Sequence, residues 1–390
     1  MPPAVVGRNL QRALRTAMLL VAAVPAVRAQ TEFSFSGYAV DFPVYQRTNS
    51  VLAGFTGVPA EQFLNITRLR LRPSLTQGEN LQLALEYELS ALYASQQAPP
   101  LVRTRSANGQ LVDLTWTLAE GEHFTAVHFI DRLHATWWFD EGEAVLGRQR
   151  IAWGTGRVWN PTDLFNPISP TAFAKLEKDG VDALAVKYAP GNFTDVTLVV
   201  NPEAEWKQTN TALRLRSNAA EFDASVMGGF VRGRWTAGGD FAGNLSTAGV
   251  RGEALVQWGG GDGSTLTAIL GADHQFTADL YALVEYQFNG AGASDPASYD
   301  IRGLAAGDVI SLGRHYLAFS GTYRLHDLVT GGASVIGNLG DGSVYVGLTV
   351  DYAVLEEVSL SAGVQLFAAD ELDEYWYYPA VAYLKASAYF

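Results

Sequence analysis

Arginines and carboxylates recur at every second position in several stretches of this chain. Arg68, Arg70 and Arg72 form one row, and Glu86 and Glu88 form the next. Arg148 with Arg150, Arg214 with Arg216, and Arg251 with Glu253 repeat the spacing, and Asp273 and Glu285 take matching positions in neighbouring stretches. In extended backbone a period of two puts such side chains on one face. Opposed rows of guanidinium and carboxylate do electrostatic work: they set a transverse field across an aqueous space, or they form ion pairs that stabilise a wet wall. Both readings stand at this point. Bond-making chemistry has less to work with. The chain has no cysteine, which removes thiolate nucleophiles and Cys-based metal sites. No Ser, His and orienting polar group are singled out together. His128 and His134 would join Asp131 as metal ligands only if their strand bulged, so rim or lumen histidines are the expectation, with no metal and no cofactor.

A second constellation lies between Trp153 and Gly180. It carries Arg157, Trp159, Asn160, Pro161, Asp163, Phe165, Asn166 and Pro167, with two Asn-Pro steps. Asn, Asp and Pro favour turns, and proline denies a ladder its donor. The segment is too irregular to face lipid and too apolar for open water. A loop folded into a lumen satisfies both conditions, and a loop packed over the mouth is the competing placement. Gly154-x-Gly156 lacks the third glycine and the helix that a nucleotide fingerprint requires.

The elements that position these residues are strands. Leu81, Leu83, Leu85, Tyr87 and Leu89 alternate with Gln82, Ala84, Glu86 and Glu88. Leu280 to Asn289 and Ala248 to Trp258 alternate in the same way. Such strands are apolar on one side and wet on the other. The segments are about ten residues long, the length a tilted strand needs to cross a bilayer. They recur from Phe33 to Phe390 without a linker, and short turns alternate with long polar loops. Aromatics gather at segment ends, as in Trp137-Trp138-Phe139 and Tyr375-Trp376-Tyr377-Tyr378, which suits interfacial girdles. An arginine facing lipid would cost roughly 2–4 kcal/mol at midplane, so the charged rows are expected to line the lumen.

The N-terminus reads as an export leader. Arg8, Arg12 and Arg15 precede an apolar run from Ala17 to Val27, and Val27-Arg28-Ala29 supplies a cleavage site. Residues 1–29 are therefore expected to be removed, leaving residues 30–390 as one barrel. Cleavage takes away Arg8, Arg12, Arg15 and Arg28 and no acid, so the formal charge moves from −13 to −17. An exterior that acidic argues against nucleic acid as a partner. Seventeen alternating segments can be placed, an odd number, and up–down assignments made from the two ends disagree between Asn201 and Thr265. Bacterial single-chain barrels have even strand numbers, so the expectation is a closed antiparallel transmembrane β-barrel of 16 strands, with 18 as the alternative.

Gly147-Arg148-Gln149-Arg150 running into Trp153-Gly154, and then Asn160-Pro161-x-Asp163, resembles a motif of uncharacterised porin-like outer-membrane proteins, broadly similar to the alginate-export and related porin families. Asp131-Arg132-Leu133, Gly271-Ala272-Asp273 and Asn338 with Asp341-Gly342-Ser343 add to the likeness. The terminal strand ending at Phe390 resembles the C-terminal signal of such barrels, which implies outer-membrane lipid and the barrel-assembly machinery as partners. The resemblance implies a polar channel and carries no particular cargo. The reading is of passive or weakly selective diffusion of small polar or anionic solutes; the alternative is a non-conducting barrel for surface attachment, envelope assembly or polymer export.

Overall fold

The computed structural model describes residues 31–56, 59–96, 109–166, 169–170, 177–261, 263–306 and 309–390. The leader, residues 1–29, and Pro167 lie outside the described residues. The strands are β1 (Thr31–Arg47), β2 (Glu61–Gln77), β3 (Leu81–Ala94), β4 (Thr115–Glu120), β5 (Phe124–Phe139), β6 (Gly142–Gln149), β7 (Val181–Tyr188), β8 (Thr194–Asn201), β9 (Asn210–Ala219) and β10 (Phe222–Val231). They continue with β11 (Arg234–Leu245), β12 (Ala248–Trp258), β13 (Thr265–Gln275), β14 (Leu280–Asn289), β15 (His315–His326), β16 (Val329–Asn338), β17 (Val344–Leu355), β18 (Val358–Ala368) and β19 (Ala380–Tyr389). Sequence neighbours pair antiparallel, β3 pairs directly with β5, and β1 pairs with β19. The sheet therefore closes on itself through the β1–β19 pairing, so the ring of wall strands has no open end. Eighteen strands make the wall. The exception is β4, which extends the upper half of β5 through pairs such as Trp116 with His128.

Eighteen was the alternative count; the strand missing from the sequence reading is β11. Its sequence, RWTAGGDFAGNL, carries Gly238, Gly239 and Gly243, so bulky residues are absent where the alternation needs them. The β10–β11 turn is only Arg232-Gly233, both at positive φ (53° and 74°). That is the tight hairpin geometry whose twist matches the strands. It hides the strand break in sequence.

Each strand sorts its residues by parity. Leu146, Leu213, Leu270, Leu348 and Leu384 are exposed on the outside of the closed sheet, and in a transmembrane barrel that side meets lipid. The opposite parity carries Arg70, Glu88, Glu253 and Glu285, all buried. Tight turns such as Gln77 to Leu81, Phe139 to Gly142 and Leu355 to Val358 close one end, and the long loops gather at the other. A closed barrel with an apolar exterior and this loop asymmetry is an outer-membrane barrel.

Candidate functional site

The chain leaves the wall at Gln149, where β6 stops, and rejoins it at Val181. The described residues between these points fold into the lumen. Ile151, Trp153, Leu164 and Phe165 pack against Val181, Ala183, Val199, Ala212, Met227 and Leu255 from the inner faces of β7 to β12. Burying Leu164 and Phe165 contributes roughly 1.5–3 kcal/mol each. Arg214 lies over the Trp153 ring at 5.8 Å.

Two wall carboxylates hold the far side of this loop. Glu253 on β12 accepts the N–H groups of Thr155, Gly156 and Thr162, the Gly156 bond at 2.7 Å and the Thr162 bond at 3.0 Å, and the Thr162 hydroxyl at 2.7 Å. Gly154 has φ +94°, and a Cβ there would meet Glu253 Oε1 at 2.8 Å, so glycine is what lets the backbone turn onto the carboxylate. Glu285 on β14 accepts three consecutive N–H groups, from Arg157 at 2.9 Å, Val158 at 3.1 Å and Trp159 at 2.8 Å. Arg251 donates to the Thr155 carbonyl at 3.0 Å and pairs with Asp273. Irregular backbone leaves its polar groups unpaired; these wall residues supply the missing partners.

On the other side, Glu177 pairs with Arg72 and Arg132. It joins a buried cluster in which Arg70 contacts Glu86, Glu88 and Asp131, while Arg132 donates to Glu86 at 3.0 Å. Arg68 approaches Glu88 at 3.8 Å. The cluster sits on β2, β3 and β5, and the two clasps sit on β12 and β14; in an eighteen-strand ring β2 and β12 lie nine positions apart. The loop thus bridges the lumen from one wall to the opposite wall. Asp163 pairs with Lys178 inside it, where burial pushes its carboxyl above the usual range against the pull of the Lys178 ammonium. Asn160, Pro161 and Asn166 lie in the same inward stretch, with Trp159 packed on Tyr316 at 5.9 Å.

Arg148 and Arg150 do not join the lumen row. Arg148 shares parity with exposed Leu146 and pairs opposite Leu133, which is also exposed. Its guanidinium is buried at the top of β6. It donates to Asp182 at 2.8 and 2.9 Å, to the Ile130 carbonyl at 3.1 Å and to the Val112 carbonyl. Where β6 ends, residues 109–114 run along the rim in its place, with Gly109 O accepting from Asp182 N and Asn201 Nδ2. Arg148 ties that strap to the wall. Arg150 lies beyond the strand end and is exposed, so strand alternation does not govern it. Arg214 pairs with Asp240 and Arg216 with Asp195, both on the inner face. The β5 bulge at Asp131 puts His128 and His134 on opposite faces, opposite Leu89 and Ala84 respectively. Asp131, Arg132, Glu177 and Asp182 were not singled out as site residues. The bulge hides the first two from a period of two, and Glu177 lies outside any strand.

Beside the loop is a chamber of about 990 Å³ whose lining, among the described residues, includes Arg157, Lys178, Arg232, Arg234 and Arg314, with Asp163 and Asp300 as acids. Its wall also offers Gln257, Thr265, Thr267, Gln287 and Asn289. Above it, Glu374 ties its own loop to the loop before β15 and to the ends of β15 and β16. It accepts from Leu312 N at 3.0 Å, Tyr316 OH at 2.5 Å and Asn338 Nδ2 at 2.8 Å. Asp341 beside it accepts from Tyr299 OH at 2.8 Å and Glu374 N at 2.9 Å. Burial lifts the Glu374 carboxyl to about 7.

No protein-family model matches the sequence, and no curated protein matches it. Solved structures do share the fold. OccK8 (OprE) of Pseudomonas aeruginosa superposes with a TM-score of 0.57 at 8% identity, over 92% of this chain and 98% of that one. OccAB1 of Acinetobacter baumannii gives 0.56 at 8% identity, over 92% and 96%. OccD3 (OpdP) of Pseudomonas aeruginosa gives 0.54 at 9% identity, over 92% and 91%. At such identities the likeness is one of fold: a porin-like barrel.

Proposed function

We propose that the protein is a diffusion channel for small polar or anionic solutes, exported by a leader cleaved after Ala29 and narrowed by the loop that bridges its lumen. An eighteen-strand barrel is wide enough to hold water inside. The observation that carries the reading is the way inner carboxylates are used. Glu253 and Glu285 accept loop N–H groups, and Glu86, Glu88 and Glu177 face arginines. Arg157 is left exposed at the loop tip, beside a chamber lined, among the described residues, by five cations and two acids. Screening limits each charge to about 8–10 Å in ordinary salt, so a solute at the narrowing meets a net positive wall. The polar groups Gln257, Thr267, Gln287 and Asn289 suit hydroxylated solutes. Arg68, Arg72, Arg214, Arg216, Arg251 and Asp273 are proposed as the balanced inner wall that keeps the lumen wet. The role is transport, not catalysis.

Planar-bilayer recording of the purified protein tests this. Stable ohmic steps with a reversal potential favouring anions are expected across a salt gradient. A folded barrel that gives no steps would end the channel reading and favour attachment, envelope assembly or polymer export.

A further inference from the structure

A cleft of about 500 Å³ opens on the loop-bearing rim, behind the aromatic cluster in which Tyr375 and Tyr378 join Trp159 of the lumen loop. It lies over the seam where the first and last strands meet, with Arg47 paired in register to Ala380. Its two walls differ in chemistry. One carries Arg47, Thr48, Asn49 and Glu61; the other carries Trp376 and Tyr378. The volume falls within the roughly 300–1,000 Å³ of small-ligand sites.

Both walls are held in place. Thr48 N donates to Ala60 O at 2.8 Å, tying the β1 end to the β2 start. Asn49 Oδ1 is taken by Val51 N at 2.9 Å, so its amide donors are what it can offer. The aromatic wall is a short turn, Glu374–Tyr377, whose first residue is the buried Glu374 described above. Tyr378 stacks on Phe367 at 5.2 Å. Thr48 is buried, and its hydroxyl has no hydrogen-bond partner among the described residues. A buried hydroxyl without a partner costs free energy until something supplies one.

We propose that this cleft binds a saccharide of about disaccharide size. A sugar ring has apolar C–H faces and a polar hydroxyl edge. The cleft matches that division: an indole and a phenol on one side, and planar guanidinium, amide and carboxylate groups plus a hydroxyl on the other. An acyl chain would strand the polar wall, and an inorganic ion would make no use of the aromatic one. The rim location allows two sources of the same chemistry, a free oligosaccharide outside the cell or the sugar head group of an outer-leaflet glycolipid.

Saturation-transfer NMR on the detergent-solubilised barrel tests the proposal, with two probes: maltose, and the deacylated oligosaccharide of a rough lipopolysaccharide. At millimolar probe, transfer to sugar ring protons is expected for at least one. Trp376→Ala should abolish it, and Thr48→Val should weaken binding about tenfold, a loss on the order of one hydrogen bond. Heat-modifiable migration on gels verifies that each variant is folded, and Thr48→Val keeps the test open if Trp376→Ala does not fold. Transfer to maltose alone assigns a free saccharide, and transfer to the lipopolysaccharide oligosaccharide alone assigns a glycolipid head group. No transfer to either probe, or transfer that survives both substitutions, overturns the proposal. Conductance does not enter the readout, so failure here is separable from failure of the channel reading.

Discussion

Glu285 receives the main-chain N–H of Trp159 at 2.8 Å, along with the two N–H groups before it. One carboxylate from the wall thereby fixes three successive residues of a segment with no ladder of its own. Glu285→Gln keeps the shape but turns one acceptor oxygen into an NH₂ facing a donor. Hydrogen bonds to a charged group are worth roughly 1.5–3 kcal/mol each. The loop of this variant should open often enough that single-channel current noise rises several-fold. Quiet, wild-type traces would mean that Glu253 alone holds the loop.

Deleting residues 158–171 should raise single-channel conductance, because that stretch contains the part carried on Glu285 across the lumen. Unchanged conductance in a folded deletion variant would place the segment away from the current path.

Arg148→Met should loosen the rim. Removing one partner from a buried, fully bonded charge pair costs about 3–5 kcal/mol, here at the Asp182 side chain and the Val112 and Ile130 carbonyls. The temperature at which the folded gel band disappears should fall. Trypsin should nick the folded barrel faster than it nicks the wild type. Unaltered cleavage and melting would show the strap to be held instead by the bonds from Asn201 Nδ2 and Asp182 N to the Gly109 carbonyl.

What was legible in the sequence follows from what has a period. Leu81 to Leu89 and Leu280 to Asn289 alternate cleanly and are strands β3 and β14. Two Asn-Pro steps and Asp163 marked the inward loop because proline and asparagine resist a ladder. Glycine defeated the same logic in β11, where Gly239 and Gly243 stand at outward positions without a side chain to read. Arg148 departs from the expectation because its charge was taken to require the lumen, whereas at the rim an outward arginine meets Asp182 and the Ile130 carbonyl instead of lipid. The partners of Arg70 were only half visible: Glu86 and Glu88 lie one tight turn away, whereas Asp131 and Glu177 arrive from a bulge and a loop.

The Glu374 knot should respond to pH. Burial raises its carboxyl from 4.5 to about 7, with neighbouring Asp341 adding to the rise and the Tyr316, Leu312 and Asn338 donors opposing it. A carboxyl whose folded value is raised binds its proton more tightly in the knot than in an opened loop. Its stabilising effect is therefore fully present below about 4.5 and is lost as pH rises through about 7. Loop-driven current closures should be rarer at pH 5.5 than at pH 8.5. Glu374→Gln, which mimics the protonated group, should show little dependence across that range. Equal pH dependence in both proteins would exclude Glu374 as the titrating group.

Charge selectivity divides the arginines into two kinds. Arg70 is buried among Glu86, Glu88 and Asp131, and Arg72 and Arg132 share Glu177. With Arg68 these are four cations beside four carboxylates, so a passing ion at a distance sees nearly no net charge. Arg157 is different. Its N–H is engaged by Glu285, but its side chain is exposed at the loop tip beside the basic chamber. Screening over about 8–10 Å hands control to whichever charge stands nearest the path. Arg72→Gln should therefore leave the reversal potential almost unmoved and instead lower thermal stability, because it strips Glu177 of a partner. Arg157→Gln should shift the potential clearly toward cations while the barrel melts as before. As salt falls and screening lengthens, the strongly acidic chain as a whole should reduce anion preference in both variants. A larger shift from Arg72→Gln than from Arg157→Gln would put the narrowest point at the β2 wall and remove Arg157 from the selectivity assignment.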